Sequence, residues 1–123
     1  MRSQKSRSVH PRHGCPAPTG QLVASFHLYD FNACADAACW SRTVARVAAK
    51  VPVVTGELGE DDCGRGFVDT YMPWADAHGV SYLGWTCDVW DCSSGPALIS
   101  SYDGTPTAFG IGFRDHLAAL ARP

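Results

Sequence analysis

The sequence predicts an α/β fold in which parallel strands alternate with helices. Three near-continuous apolar runs begin at Leu22, Val51 and Val80, and consecutive starts are 29 residues apart. A strand, a crossover helix and the next parallel strand need about 30 residues, so this spacing favours parallel strands. Uniformly apolar strands are typical of sheets covered on both faces, either in an α/β barrel or in an open doubly wound sheet. In both architectures ligands bind at the carboxyl ends of the strands.

A polar segment precedes the first predicted unit. Residues 1–20 combine basic residues, Ser, Pro and Gly with almost nothing apolar, so we expect a flexible N-terminal segment and order from Gln21 onward. The run "QLVASFHLYDF" is the first predicted strand. The following "SRTVARVAAKV" predicts a helix, because apolar residues recur at helical spacing at Val44, Val47, Ala48 and Val51.

The second unit joins the strand "VPVVTGEL" to the helix "GRGFVDTYMPWADAHG". Pro52 is acceptable in this strand because it lies at its beginning. We expect Gly79 to end the helix and Pro73 to kink or shorten it. The predicted inward face of the helix consists of Phe67, Val68, Tyr71 and Ala75.

The third unit joins the strand "VSYLGWTCDVW" to the helix "TPTAFGIGFRDHLAALA". Thr105 is the predicted cap of this helix, and Pro106 occupies its first turn. The predicted inward face consists of Phe109, Phe113, Leu117 and Leu120.

Composition excludes several classes of protein. The 123 residues, 46% hydrophobic and 18% charged, indicate one globular domain. A net charge of -2 without a basic stripe argues against nucleic-acid binding. We expect no membrane association, since no run reaches the roughly 18 apolar residues of a span. Residues 1–20 also lack the apolar core of a signal peptide.

Six Cys in a chain this small favour an oxidising compartment. A zinc site is the competing explanation, since His10, His13 and Cys15 lie close together in "HPRHGC". That stretch lacks a second Cys/His pair at finger spacing and lies in the polar segment. We therefore predict neither a metal nor another cofactor.

Polar and aromatic residues follow the predicted strands where their carboxyl ends should form one rim. For each residue alone, packing or solvation is the more frequent explanation. Together, a carboxylate beside His and Tyr donors and an indole face suits the stabilisation of a sugar-derived cation. These residues are His27, Tyr29 and Asp30, then Glu57 and Glu60, then Trp85, Asp88 and Trp90.

Glu57 is the strongest catalytic candidate, because the last position of a buried strand can hold a nucleophile rigidly. Glu60, Asp61 and Asp62 are interpreted as loop acids, one of which could bind a cation, although the EF-hand pattern is absent. The chain contains no G-x-S-x-G elbow, no phosphate loop and no dinucleotide-binding glycine motif. The glycines of "FGIGF" lie inside the last predicted helix.

Four segments resemble the closing third of a glycoside hydrolase family 5 catalytic domain, the cellulase-type β-glycanases. They are "HLYDFN", "VPVVTGELGE", "WADAHGVSYLGWT" and "YDGTPTAFGIGFRDHL", and the similarity extends over residues 20–120. The resemblance implies a partial (β/α)8 TIM barrel whose parallel strands are the sixth to eighth. It makes residues 21–123 a truncated catalytic domain from a secreted enzyme that hydrolyses β-1,4-glucan with retention.

The resemblance also implies roles for individual residues. Glu57 in "TGELG" matches the nucleophile, and His27 and Tyr29 match a His-x-Tyr element whose phenol would hydrogen-bond that nucleophile. Trp85 matches the indole on which a sugar stacks, and Trp90 is a second candidate for glucan binding. Cys87 stands where many relatives have a second Trp, so contacts with neighbouring sugars are open.

The resemblance places two disulfides in loops, with Cys34 bonded to Cys39 and Cys63 bonded to Cys92. Cys15 and Cys87 have no assigned partner.

The second catalytic carboxyl group is missing from the sequence. A retaining glycosidase needs two carboxyl groups about 5–5.5 Å apart. In the family the acid/base is the Glu of an "NEP" motif, and this chain has no such motif and only two Glu, Glu57 and Glu60. Asp30 or Asp88 could approach Glu57 from a neighbouring strand, but neither would lie across the cleft from it. A barrel takes about 250 residues, so we expect a truncated chain that is inactive alone.

Two alternatives stay open. One is a non-catalytic remnant that binds glucan through Trp85 and Trp90, or that assembles with a chain supplying the missing barrel strands. Three parallel strands would leave two edges and one face free for such pairing. The other is an α/β domain whose acidic rim has no function.

Overall fold

The computed structural model describes residues 20–122 and contains one three-stranded parallel sheet. The strands are β1 (Ala24–Tyr29), β2 (Val53–Gly59) and β3 (Val80–Gly84), in the spatial order β1-β2-β3. The helices are α1 (Ala37–Arg42), α2 (Val44–Ala48), α3 (Gly66–Ala77) and α4 (Ala108–Leu120). The predicted parallel α/β fold is confirmed. The polar segment and its His10, His13 and Cys15 lie outside the described residues.

Helices cover one face of the sheet. Leu28, Leu58 and Val80 point toward the helices and are at most 3% exposed, and Tyr71 and Phe109 are fully buried against them. Exposure alternates along the outer strands, so the opposite face carries side chains such as Leu83, which is 59% exposed. In the part of the chain that the structure describes, the cover on both faces that the apolar strands favoured is absent, and the single free face expected of three strands alone is present. The sheet has an open face.

The first predicted helix is two short helices separated at Thr43. Its start is earlier than predicted, because the Asp36 carboxylate accepts a hydrogen bond from the backbone N–H of Cys39 (2.8 Å) and caps α1. This early turn buries Trp40 to 1% exposure, with its ring 4.8 Å from that of Tyr71. Val44 and Ala48 pack against the core, whereas Val47, which the same apolar spacing includes, is 42% exposed.

Helix α3 continues through Pro73 to Ala77, so this proline does not end it. Gly79 follows with φ of 65°, the left-handed conformation that glycine adopts easily and that often terminates a helix. The predicted inward residues Val68, Tyr71 and Ala75 are fully buried, and Phe67 packs against the core.

Helix α4 begins later than predicted. Its N-cap is Thr107, whose hydroxyl accepts from the N–H of Gly110 (3.1 Å), whereas Thr105 bonds the Asp103 carboxylate in the preceding turn. Pro106 consequently lies before the helix. Phe109 is buried as predicted, but Leu117 (43% exposed) and Leu120 (56% exposed) are not.

The glycines of "FGIGF" lie inside α4, where close packing requires one of them. A Cβ at Gly110 would lie 1.9 Å from the backbone carbonyl oxygen of Leu98. Among residues 20–122, no helix is long and apolar enough to span a bilayer.

Candidate functional site

The carboxylate of Glu57 is contacted by two side chains of β1. The Tyr29 hydroxyl donates a hydrogen bond to Glu57 Oε2, and His27 Nδ1 lies 3.2 Å from the same oxygen. The His27 side chain is 58% exposed and the Glu57 side chain 23% exposed, so the group lies at the surface of the open sheet face. The structure thus brings together three of the residues that the sequence predicted at the rim.

Tyr29 is held as a hydrogen-bond donor. Its partial burial raises the pKa of the phenol well above its ordinary value, and the hydrogen bond to Glu57 raises that pKa further. The phenol is therefore protonated across the neutral range. Phe31 stacks on the Tyr29 ring with centroids 5.1 Å apart, and the Asn32 side chain accepts from the Tyr29 N–H (2.8 Å).

A bulge in β2 directs Glu57 to the open face. Phe26 pairs with Thr55 and His27 with Glu57, which leaves Gly56 as an extra residue on β2. Thr55 and Leu58 are both fully buried. In a regular strand Glu57 would share the buried face with Thr55, because side chains alternate with a period of two. The extra residue shifts that alternation and presents Glu57 to His27 and Tyr29.

Glycines on either side of Glu57 make room for its neighbours. A Cβ at Gly56 would lie 2.9 Å from Ser25 Oγ. A Cβ at Gly59 would lie 2.9 Å from Tyr29 Cε1 and 2.8 Å from Pro96 Cγ. Since real Cβ atoms do not approach neighbours this closely, both positions favour glycine.

Two exposed indoles lie beyond β3. The third strand ends at Gly84, so the prediction that it extends to Trp90 is wrong. Trp85 begins the following loop, and its backbone N–H donates to the carbonyl of Leu58, next to Glu57 in the chain (2.9 Å). The peptide bond between Trp85 and Thr86 is cis. The Trp85 and Trp90 rings are 6.5 Å apart at an angle of 67°, and the residues are 40% and 42% exposed.

Glu60 has a structural role that the sequence interpretation missed. The sequence indicates an acid in a solvated loop, yet the residue is only 8% exposed, and its carboxylate accepts the N–H groups of Phe67 (3.0 Å) and Val68 (3.3 Å). These donors lie in the first turn of α3, where a carboxylate also interacts favourably with the helix dipole. Burial raises the pKa of Glu60, and the two backbone hydrogen bonds oppose that rise.

The aspartates near the rim also bond neighbours other than Glu57. Asp30 accepts from the backbone N–H of Asp61 (3.0 Å). Asp88 accepts from the Tyr102 hydroxyl and from the N–H of Val89 (2.7 Å each), and these hydrogen bonds lower its pKa. Within residues 20–122, no group of three or more His, Cys, Asp and Glu side chains is arranged to hold a metal ion.

The structure contains the two disulfides that the resemblance implied. Cys34 is bonded to Cys39 with Cα atoms 5.5 Å apart, and Cys63 to Cys92 with Cα atoms 5.4 Å apart. The thiol of Cys87 is free and exposed.

Residues 31 and 32 were not singled out from the sequence, although both support the site. The signal was present in "YDFNA": an aromatic residue and an Asn directly after a strand, where an Asn side chain commonly bonds a turn backbone. Tyr71, whose hydroxyl bonds the Thr55 hydroxyl beneath the bulge (2.5 Å), was assigned only to the core.

Comparisons with known proteins relate the fold to β-glucanases. No protein-family model matches the chain, and no curated protein matches its sequence. Two solved structures of a β-glucanase from Saccharophagus degradans are similar, one in complex with cellotetraose (TM-score 0.65) and one in its native form (TM-score 0.61). Both are 20% identical over 80% of this chain. The chain spans about a third (34%) of the length of that glucanase chain, so the likeness establishes a shared partial fold.

Proposed function

We propose that the chain is the part of a retaining β-glycanase that holds the nucleophile, Glu57. The observation that supports this best is the sharing of Glu57 Oε2 between the Tyr29 phenol and the His27 imidazole. A carboxylate oriented by two side chains, at the carboxyl end of a parallel strand, suits attack on an anomeric carbon. By this proposal the three strands are the sixth to eighth of a (β/α)8 barrel of the family 5 type, formed by residues 21–123.

The proposed substrate is a β-1,4-glucan. The similar glucanase was solved with cellotetraose, and the exposed rings of Trp85 and Trp90 offer flat apolar surfaces of the kind on which sugars stack. Two disulfides support a secreted protein.

In the proposed chemistry a Glu57 carboxylate oxygen attacks the anomeric carbon and the bond to the leaving oxygen breaks. An ordinary glucan also needs an acid to protonate that oxygen, at the carboxyl separation of about 5–5.5 Å. The nearby acids Asp30, Glu60 and Asp88 are bonded elsewhere. We therefore expect this chain alone to release no reducing sugar from soluble cellulose.

An activated substrate tests the nucleophile without that acid. In 2,4-dinitrophenyl 2-deoxy-2-fluoro-β-cellobioside, dinitrophenolate departs with the bonding electrons and needs no proton, and fluorine slows hydrolysis of the glycosyl ester. We expect mass spectrometry to find one glycosyl group on Glu57, and none on Glu57→Gln. Labelling at another residue, or none on folded protein, would contradict the proposed role.

A second candidate is glucan binding without catalysis, favoured by the indole pair and by the absence of a second free carboxylate near Glu57 among the described residues. The test is titration with cellotetraose, followed by the indole resonances. Binding that is lost in Trp85→Ala and kept in Glu57→Gln, together with failure of the labelling, would support this candidate over the first.

The open face and free edges of the sheet also suit a complementing chain that carries the missing barrel strands. Mixing with a polypeptide that contains the "NEP" half tests this. Activity that arises only in the mixture would support assembly.

A further inference from the structure

The loop after β3 carries the second indole, Trp90, at an exposed position. We call residues 86–97 the indole loop. Its base is closed by a hydrogen bond from the N–H of Leu98 to the carbonyl of Thr86 (2.9 Å). Gly95, Pro96 and Ala97 at its end are buried, whereas Trp90 near the tip is exposed. The base therefore does not by itself determine where the Trp90 ring lies.

The Cys63–Cys92 disulfide ties the tip of this loop to a rigid part of the protein. Cys63 is 4% exposed, its N–H donates to the carbonyl of Glu60 (3.0 Å), and its carbonyl accepts from the N–H of Phe109 (2.8 Å). Its φ of 58° is a left-handed conformation that is uncommon for a residue with a side chain. Cys63 is thus fixed between the end of β2 and the start of α4, while Cys92 lies two residues after Trp90.

The same disulfide supports the surface on which the indole rests. Cys63 Sγ lies 3.9 Å from the carbonyl oxygen of Gly95. A Cβ at Gly95 would lie 3.0 Å from Cε3 and 3.3 Å from Cζ3 of Trp90, so the six-membered part of the indole packs closely against this glycine. A turn joins the two contacts, with the N–H of Ser94 donating to the carbonyl of Asp91 (2.7 Å). The Cys63–Cys92 disulfide therefore contacts Gly95, and Gly95 in turn contacts the indole of Trp90.

We propose that the Cys63–Cys92 disulfide and Gly95 are positioning elements that hold Trp90 beside Trp85 and so create a two-ring platform for a glucan chain. The inference rests on the proposed glucan binding. It assigns to Trp90 a sugar contact that does not involve Glu57, and it makes the disulfide necessary for that contact. The Cys34–Cys39 disulfide, which joins the segment before α1 to the first turn of that helix, has no such role.

The test compares two double variants by indole NMR and by cellotetraose titration. The chain has four Trp, so four indole N–H resonances are expected, and Trp90→Phe identifies that of Trp90. In Cys63→Ser/Cys92→Ser we expect the Trp90 resonance to shift or broaden and cellotetraose affinity to fall about fivefold to tenfold, as for loss of one aromatic stacking contact. Cys34→Ser/Cys39→Ser is the matched control and should change affinity by less than about twofold.

A Trp90 resonance and an affinity that both match the wild type in Cys63→Ser/Cys92→Ser would overturn the proposal. If circular dichroism shows that variant to be unfolded, Gly95→Ala is measured in its place. Its added methyl group pushes the Trp90 ring while the disulfide stays intact, so the same change in the Trp90 resonance and the same loss of affinity are expected. If wild type binds no cellotetraose, glucan binding fails, and the Trp90 resonance alone decides whether the disulfide positions the ring.

Discussion

Tyr29 on β1 donates its phenolic hydrogen to Glu57 on β2, across a sheet register that one extra residue has shifted. The pair joins neighbouring strands on the open face, and His27 contacts the same carboxylate oxygen. A carboxylate anchored in this way has few rotamers to choose from. That restriction is useful for a nucleophile, which has to approach one carbon along one direction.

Removal of the Tyr29 hydroxyl should slow glycosylation of Glu57. A hydrogen bond to a charged group contributes about 1.5–3 kcal/mol, so we expect labelling of Tyr29→Phe by the fluorosugar to be slower by a factor of about 10 to 150. Tyr82→Phe is the control, because its hydroxyl bonds Asp76 on the helix-covered side (3.0 Å). Equal labelling rates in the two variants would show that the phenol does not orient Glu57.

Gly59→Ala should disturb the site through Tyr29. The new methyl group would meet the Tyr29 ring and Pro96, and overpacking of this kind costs about 1–3 kcal/mol of unfolding free energy. For Gly59→Ala we expect a lower free energy of unfolding in urea titrations and slower labelling of Glu57 by the fluorosugar. Gly66→Ala is the matched control, because a Cβ there meets nothing within 4 Å. Comparable losses in both variants would contradict this account of Gly59.

Glu60→Gln should change how stability depends on pH. The raised pKa of Glu60 means that the folded state binds the proton more tightly, so this group stabilises the fold below the ordinary Glu value of about 4.3. That contribution is lost as pH rises through the folded pKa. Urea titrations from acid to neutral pH should show less of this decline in Glu60→Gln. Glu60→Ala should lose about 1 kcal/mol through removal of the cap.

The protein should lose stability at alkaline pH through its buried tyrosines. Burial raises the pKa of Tyr71 to about 12, with the Thr55 hydrogen bond opposing the rise. Above about pH 10 the unfolded chain releases the phenolic proton while the folded chain keeps it, so unfolding becomes more favourable. Thermal melts should start at about pH 9, one unit below the ordinary Tyr pKa. From there upward, the melting temperature should fall less steeply in Tyr71→Phe than in wild type. An unchanged slope would contradict the assignment.

The order of strands and helices was predictable because it depends on apolar spacing that the whole fold repeats. The parallel strands and the core of α3 follow from that periodicity. Helix starts were less predictable, since they depend on single side-chain hydrogen bonds. Asp36 and Thr107 cap helices where apolar spacing alone placed the boundary elsewhere.

The contact between Tyr29 and Glu57 was expected from a family resemblance, not from strand periodicity. Simple alternation would place Glu57 on the same face as buried Thr55, and only the bulge at Gly56 separates them. Glu60 was misinterpreted for a related reason. An acid in a loop gives no sign in the sequence that its oxygen will meet the first turn of a helix seven residues later.

The extra residue in β2 changes which side chains of the strand face the interior. Up to Thr55 its odd-numbered side chains belong to the interior, and from Leu58 onward the even-numbered ones do. If the same residues paired without the bulge, alternation would continue unchanged past Thr55, which would place the acid at 57 under the helices and Leu58 in water. The exposure of the carboxylate and the packing of the core therefore both depend on β2 having one residue more than β1 across this stretch.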